Sequence, residues 1–273
     1  PHGETIPLPS KGAAFVSHDL AHAYNDVLFT FSDWTQLPQD YVYNGKESVN
    51  AGLRLNPVVA RLPDVEVLNV EVPSHDGARV PMTLLFKKGL KRDGGNPTLL
   101  NAYGAYGFSM TAGFAPARMA WIEQGGVLAL ANVRGSGVHG DAWYRAGQKA
   151  TKANTWKDGI ACAQYLIAQG FASPQTLAVM GTSAGGIFVG RTVTSAPQLF
   201  AAAIFDVGVM DAVRAEDSAN GITNISEFGS AANPKEFPAL LEMSTYHQIQ
   251  DKTAYPGVLL LHGLGQAAAR DDV

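Results

Sequence analysis

A serine between two glycines, placed where an apolar strand meets a helix, is the feature that most constrains this sequence. Gly181-Thr182-Ser183-Ala184-Gly185 has the form G-x-S-x-G. A strand is predicted before it, over Leu177–Met180, and a helix after it, over Ala184–Thr194. A turn of this kind holds its serine in strained backbone angles and needs small neighbours where the flanking chain passes close. The pattern predicts a nucleophilic serine at the carboxyl edge of a sheet, and a purely structural turn is the alternative.

The same turn predicts a place that stabilises negative charge. The N–H of Ala184 would lie at a helix N-terminus, where free amides and the helix dipole favour an oxyanion. A dinucleotide-binding loop is not indicated, because G-x-G-x-x-G and a ribose-binding acid at the expected distance are both missing.

The chain after residue 63 alternates predicted strands with predicted helices. Val65–Val72 and Val80–Phe86, joined by the turn Ser74-His75-Asp76-Gly77, predict a β-hairpin. Further strands are predicted at Pro97–Ala102, Val127–Ala131, Leu177–Met180, Ala202–Phe205 and Val258–Leu261, and helices at Ala115–Gln124, Asn154–Gln169, Ala184–Thr194 and Phe237–Tyr246. Such alternation predicts an α/β fold with a doubly wound, mostly parallel sheet.

Residues 1–62 have a different texture. Val27–Phe31 and Gln39–Tyr43 are predicted as short strands, interrupted by Pro38 and by Asn44-Gly45. Two such strands cannot form a stable domain alone, so this segment is expected to pack against another part of the protein. Arg61-Leu62-Pro63 marks the predicted junction.

Charge and composition exclude several classes of protein. Twenty Lys and Arg against 24 Asp and Glu give a net charge of −4, which argues against a nucleic-acid or anionic-membrane binder. No apolar run approaches the roughly 18 residues that a membrane-spanning helix needs. The single cysteine, Cys162, excludes an internal disulfide framework and a multi-cysteine metal site. Asp206 and Asp211 lack a further ligand at metal-binding spacing, so no metal site is expected there, and no cofactor is expected either. The sequence leaves the compartment open between cytoplasm and periplasm.

Several blocks of sequence, in a fixed order, resemble the prolyl oligopeptidase family of serine peptidases. Besides the turn at Ser183, they are Tyr103-Gly104-Ala105-Tyr106-Gly107, residues 125–135, residues 140–143 and Val207-Gly208-Val209-Met210-Asp211. The resemblance is dense over about residues 63–262. It implies an α/β-hydrolase domain at 63–273 and, at 1–62, the C-terminal remnant of a β-propeller. The implied activity is hydrolysis of short peptides through an acyl-enzyme on Ser183, with proline-containing peptides as one candidate class of substrate.

The resemblance implies a catalytic role for three residues. Ser183 matches the nucleophile, and the Ala184 amide matches one oxyanion donor. Tyr103 matches the tyrosine whose hydroxyl is the second donor, although composition alone would favour an ordinary core or loop tyrosine at that position.

Three further residues correspond to substrate-binding positions of the family. Tyr106 stands where the family has a Phe, and Phe228 stands where it has a Tyr. Asn224 occupies the position of the Trp that stacks on the proline ring of the substrate, which puts proline specificity in doubt.

The acid and the base of a catalytic triad are not found where the resemblance places them. The expected acid position holds Gln266, and Asp271 or Asp272 would serve only if that loop were several residues longer. The family's histidine would follow Val273, so the chain is expected to be part of a longer peptidase and to show little activity alone. His262, at the end of the last predicted strand, is an alternative base, and a structural role for it is the competing interpretation.

Other interpretations of the whole chain remain open. The same machinery would serve an esterase acting on small acyl esters, and a catalytically incomplete hydrolase fold would serve as a binding module. The expected partner is a peptide substrate, and the oligomeric state is not predicted. Among single residues, Arg134 is expected to support its loop rather than a substrate, His139 to lie near the pocket, and Asp158 to open a helix, where an acid suits the dipole.

Overall fold

A computed structural model describes residues 5–16, 27–54, 64–218 and 221–262. The predicted junction at 61–63 and the acid candidates Gln266, Asp271 and Asp272 lie outside the described residues. The described chain forms two β-sheets, one of four strands and one of seven.

The four-stranded sheet is antiparallel and lies in the N-terminal part of the chain. Its strands, paired in chain order, are β1 (Ala13–Val16), β2 (Val27–Ser32), β3 (Gln39–Tyr43) and β4 (Ser48–Asn50). Strands β2 and β3 confirm the two predicted strands. Strands β1 and β4 were not predicted, because runs of three or four residues carry too little alternation to be recognised.

The small sheet packs against the rest of the protein, as expected for a segment that cannot stand alone. Trp34, just after β2, is buried in a cluster with Met119, Ile122, Leu128 and Leu130. Asp33 holds the backbone on either side of Trp34 in place, because its carboxylate accepts hydrogen bonds from the N–H groups of Thr35 and Gln36, both at 2.7 Å. The buried Trp34 side chain therefore joins the two sheets, and the burial of its large apolar surface stabilises their packing.

The seven-stranded sheet confirms the predicted strands with boundary changes of one or two residues. Its strands are β5 (Val65–Pro73), β6 (Arg79–Lys87), β7 (Thr98–Asn101), β8 (Val127–Ala131), β9 (Leu177–Thr182), β10 (Ala202–Asp206) and β11 (Gly257–Leu261). Their order is β11-β10-β9-β7-β8-β6-β5. Strands β5, β6 and β8 pair antiparallel, whereas β8, β7, β9, β10 and β11 run parallel. The sheet is therefore mostly parallel, as predicted.

Helices cross over between the parallel strands. They are α1 (Pro116–Glu123), α2 (Asp141–Arg145), α3 (Ala153–Ala168), α4 (Gly185–Ser195), α5 (Ile225–Phe228), α6 (Phe237–Met243) and α7 (Thr245–Gln248). The long core helices α3 and α4 confirm the prediction. The single helix predicted at Phe237–Tyr246 is wrong, because Ser244 has extended backbone angles and divides it into α6 and α7.

The main core lies between this sheet and helices α3 and α4. It is built from the buried apolar side chains of the central strands, of which Leu100, Ala129, Val179 and Ala203 are wholly inaccessible to solvent. A parallel strand buried on both faces has such a continuous apolar sequence. The carboxyl ends of the parallel strands consequently meet at one edge of the sheet, where the loops after β7, β9 and β10 come together.

Candidate active site

Ser183 occupies the sharp turn between β9 and α4. Its φ is +54°, in the left-handed region that a residue with a side chain rarely adopts. Its N–H donates to the carbonyl of Asp206 and its carbonyl accepts from the N–H of Val209, both at 2.8 Å, so the strained turn is held by the loop after β10. The hydroxyl-bearing residue is exposed at the carboxyl edge of the sheet.

The small residues around this turn are required by close backbone approaches. A Cβ on Gly181 would lie 2.3 Å from the carbonyl oxygen of Gly185. A Cβ on Gly186 would lie 2.6 Å from the Cα of Gly208. No side chain fits at such distances without displacement of the backbone, which confirms the sequence argument for the turn.

Ala184 immediately precedes helix α4 and is buried. Its amide belongs to the first turn of the helix, where N–H groups have no acceptor within the helix itself. An oxygen that develops negative charge beside Ser183 would therefore meet an N–H group and the positive end of a helix dipole.

Tyr103 brings a second donor to Ser183. It is the second residue after β7, and parallel pairing of β7 with β9 places Tyr103 and Ser183 at the same edge of the sheet. Burial raises the pKa of the Tyr103 hydroxyl, a hydrogen bond with Ser183 acts in the opposite direction, and the charge of Glu227 raises the pKa further. The hydroxyl therefore stays protonated at neutral pH and can donate to an oxyanion.

A cavity of about 640 Å³ opens beside these residues. Its lining is mainly apolar and consists of Asn101, Ala102, Tyr103, Tyr106, Phe108, Met110, Arg118 and Thr182. The Tyr103 and Phe108 rings meet edge to face with centroids 5.3 Å apart. A concave apolar surface with few polar groups, next to a strained serine, has the character of a substrate pocket.

Tyr106, Phe228 and Asn224, the predicted substrate-binding residues, are brought together by the fold. Tyr106 is 44% exposed, and its hydroxyl donates to the side-chain carbonyl of Asn224 at 2.6 Å. Phe228 is only 1% exposed and supports the Tyr106 ring edge to face, at 5.6 Å between centroids. Tyr106 and Asn224 therefore form the accessible surface, and Phe228 lies behind them.

Two buried charges beneath this surface were missed by sequence reasoning. Lys152 and Glu227 are 1% and 0% exposed, and the Lys152 Nζ lies 3.9 Å from a Glu227 carboxylate oxygen. Burial lowers the pKa of Lys152 to about 8, although the Glu227 charge opposes this shift. No local pattern distinguishes these residues from solvated loop charges, so the sequence offered no signal for them.

Arg134 confirms its predicted role as the support of a loop, with a partner that was not foreseen. Its guanidinium and its backbone N–H donate to the buried carboxylate of Asp158, at 2.7–3.0 Å, and the guanidinium also binds Asp76. The prediction that Asp158 opens a helix is wrong, because α3 begins at Ala153 and places Asp158 in its interior. This loop in turn carries Gly135, whose carbonyl accepts from the N–H of Gly107 at 3.0 Å.

Of the described histidines, His262 lies nearest to Ser183 in the strand register. Leu261 pairs with Asp206 and Asp206 pairs with Thr182, so these three residues lie in one row across the strands. His262 and Ser183 are the next residues after Leu261 and Thr182 and are therefore two strands apart. At about 4.8 Å per strand the two backbones are roughly 10 Å apart. Among the described residues no hydrogen bond joins the two side chains, and a role for His262 as base stays a prediction.

The other described histidines have partners away from Ser183. His139 is exposed and meets the ring of Trp143 edge to face, at 5.1 Å. The remaining two are His75, which contacts Ser74, and His247, which contacts Ser244. In the part of the chain that the structure describes, no group of three or more His, Cys, Asp or Glu side chains could hold a metal ion, and no helix could span a bilayer.

A strained serine between strand and helix, at the carboxyl edge of a mostly parallel sheet, defines an α/β-hydrolase domain. The sequence profile of the prolyl oligopeptidase family matches residues 112–266. The chain belongs to this family, which confirms the resemblance inferred from the sequence.

Relatives of known name agree with this assignment. The chain is 35% identical to a prolyl endopeptidase of Elizabethkingia meningoseptica, over 94% of this chain and 36% of that protein. It is 33% identical to the dual function macrocyclase-peptidase POPB of Amanita bisporigera, over 74% of this chain and 28% of that protein. The chain thus spans about a third of the length of these relatives.

Solved structures show the same fold. A structure from a study of two prolyl endopeptidases matches with a TM-score of 0.86 and 35% identity, over 94% of this chain and 38% of the other. Prolyl oligopeptidase B of Galerina marginata, bound to a 35-residue hydrolysis and macrocyclization substrate, matches with a TM-score of 0.83 and 27% identity, over 91% and 36%.

Proposed function

We propose that the protein is a serine peptidase that cleaves short peptides through an acyl-enzyme on Ser183. The observation that carries this proposal is the exposed Ser183 at φ +54°, with Tyr103 at the same edge of the sheet and the Ala184 amide at the start of α4. The names of the relatives, prolyl endopeptidases among them, support the same class of reaction.

The chemistry follows from this arrangement. The Ser183 Oγ attacks the carbonyl carbon of the scissile bond while a base removes its proton. The carbonyl oxygen becomes an oxyanion, which accepts hydrogen bonds from the Tyr103 hydroxyl and the Ala184 N–H. Collapse of this intermediate expels the amine, which takes up the proton, and leaves an ester on Ser183. Water then hydrolyses the ester by the same steps, with the serine as leaving group.

The base in this mechanism is a histidine oriented by a carboxylate. Within the described residues, His262 is a histidine at the same edge of the sheet. Fluorophosphonate labelling and rate measurements test Ser183 directly, whichever histidine takes its proton.

An esterase is the second candidate, and Asn224 is the observation that favours it. Asn224 stands where a stacking Trp is expected, and its side chain is held by the Tyr106 hydroxyl at 2.6 Å. An amide offers a proline ring less apolar contact than an indole ring does. Small acyl esters need less binding energy from this pocket than proline-containing peptides do.

The four-stranded sheet β1–β4 supports one further proposal about the N-terminal region. Its strand number and antiparallel order are those of a single propeller blade. We propose that residues 1–62 are the C-terminal end of a β-propeller and that residues 63–273 belong to the hydrolase domain.

The proposal is tested by labelling the full-length protein with a fluorophosphonate probe. The wild type and Ser226→Ala, a change of another exposed serine near the pocket, should label equally, and Ser183→Ala should not label. Labelling that survives Ser183→Ala would contradict the proposal. Hydrolysis rates are then measured on matched peptides with proline or alanine before the cleaved bond, and on a small acyl ester. Hydrolysis of the ester without hydrolysis of the peptides would support the esterase and contradict the peptidase.

A further inference from the structure

The loop that carries the Tyr103 hydroxyl contains one residue, Tyr106, with an unfavourable backbone conformation. Three of its residues have positive φ, namely Gly104 at +70°, Tyr106 at +55° and Gly107 at +67°. Tyr106 has a side chain and is therefore strained in this region. A strained loop keeps such a shape only where its surroundings over-determine it.

Two buried charged side chains, Lys152 and Glu227, hold the backbone of this loop. The Lys152 Nζ donates to the carbonyl of Gly104, and a Glu227 carboxylate oxygen accepts from the N–H of Tyr106 at 3.0 Å. Both charged side chains are almost wholly inaccessible to solvent. Hydrogen bonds to charged groups in such surroundings are among the strongest in a protein, and a buried charge is costly when its partner is removed.

The same carboxylate also holds the other wall of the site. Glu227 belongs to the short helix α5, next to Phe228 and three residues after Asn224. Its second oxygen accepts from the Tyr144 hydroxyl at 2.6 Å. The Tyr106 hydroxyl bridges back to Asn224, so the loop after β7 and helix α5 are joined at two points.

We infer that Glu227, assisted by Lys152, is a positioning residue, which fixes the Tyr103 loop against helix α5 and so holds the Tyr103 hydroxyl where the oxyanion forms. This inference rests on the proposed function, because it assigns Glu227 a part in the same acyl transfer. Glu227 does not touch the reacting atoms in this arrangement. It acts through Tyr103, and its effect on rate must therefore disappear when the Tyr103 hydroxyl is absent.

A double-mutant cycle on the full-length protein tests this dependence. The variants are Glu227→Gln, which keeps the shape and removes the charge, Tyr103→Phe, and the two combined, with kcat and KM measured on a small acyl ester. Displacement of a positioned group by an ångström can lower a rate by roughly a hundredfold. We expect Glu227→Gln to lower kcat by roughly 10- to 100-fold alone and by less than about twofold in the Tyr103→Phe background.

A matched control separates positioning from general destabilisation. Glu236→Gln breaks the partly exposed ion pair between Glu236 and Lys149, in which a carboxylate oxygen and the Nζ are 2.7 Å apart. Glu236 directly precedes helix α6. The substitution should leave kcat unchanged. If Glu227→Gln lowers kcat by the same factor in both backgrounds, or leaves it unchanged, the inference is wrong.

A milder variant keeps the test decisive if Glu227→Gln does not fold. Tyr144→Phe removes one hydrogen bond to Glu227 and leaves both charges in place. We expect it to lower kcat severalfold, again only where the Tyr103 hydroxyl is present, and an equal loss in both backgrounds would overturn the inference. Failure of the proposed function is distinguishable, because the wild type would then neither label at Ser183 nor hydrolyse the ester.

Discussion

Replacement of Asp158 by alanine should destabilise the hydrolase domain more than any surface change. Asp158 is wholly buried and accepts four hydrogen bonds, three from Arg134 and one from the Ser74 hydroxyl at 2.6 Å. In Asp158→Ala the guanidinium stays buried and keeps only Asp76, itself partly exposed, as a charged partner.

The magnitude follows from the kind of pair that is broken. Removal of one partner of a buried ion pair typically costs about 3–5 kcal/mol, because the remaining buried charge loses its buried counter-charge. At about 2–4 °C per kcal/mol for a domain of this size, the midpoint of thermal unfolding should fall by roughly 6–20 °C. Differential scanning fluorimetry measures this shift, and urea unfolding measures the free energy.

Two comparisons decide whether the reasoning is right. Asp141→Ala breaks the exposed Arg145–Asp141 pair and should leave the unfolding midpoint unchanged, since exposed pairs contribute little. Arg134→Met combined with Asp158→Ala should be less destabilising than the sum of the two single changes, because it removes both charges. A loss below about 1 kcal/mol for Asp158→Ala, or strict additivity in the cycle, would refute the argument.

Three further predictions concern the proposed oxyanion donor Tyr103, acid stability and the turn at Ser183. Tyr103→Phe should lower kcat on a small ester by roughly 100- to 1000-fold, with the unfolding midpoint unchanged, and a loss below about tenfold would argue against an oxyanion role. Arg134 lowers the pKa of Asp76 from 3.8 to about 2, so Asp76 contributes stability above about pH 4 that is lost as the pH falls through 2. Asp76→Asn should therefore unfold at a urea midpoint that changes less with pH over this interval, and an unchanged pH dependence would contradict the assignment. Gly186→Ala places a Cβ 2.6 Å from the Cα of Gly208, so it should lower the free energy of unfolding by about 1–3 kcal/mol and abolish fluorophosphonate labelling. Full labelling with normal stability would show that the turn tolerates the side chain.

Much of the fold could be predicted because its signals are local. The strands β7 to β11 are short apolar runs, the hairpin β5–β6 surrounds a turn, and the glycines of the nucleophile turn stand within five residues of Ser183. Boundaries were less certain where local signals conflict. Ser244 interrupts a run that is otherwise helical in pattern, and its side chain accepts a hydrogen bond from the N–H of Ala212 in the loop after β10.

Sequence patterns alone are enough to infer the class of fold, the nucleophile candidate at Ser183 and the family. The pairing of Lys152 with Glu227 and of Arg134 with Asp158 becomes apparent only in the folded protein. Both pairs join residues that are far apart in the chain, and a charged residue has the same local sequence character whether water or a buried partner surrounds it. Burial and pairing are properties of the packed sheet and its loops. The residues that hold the Tyr103 loop in place could therefore be found only once the fold had brought them together.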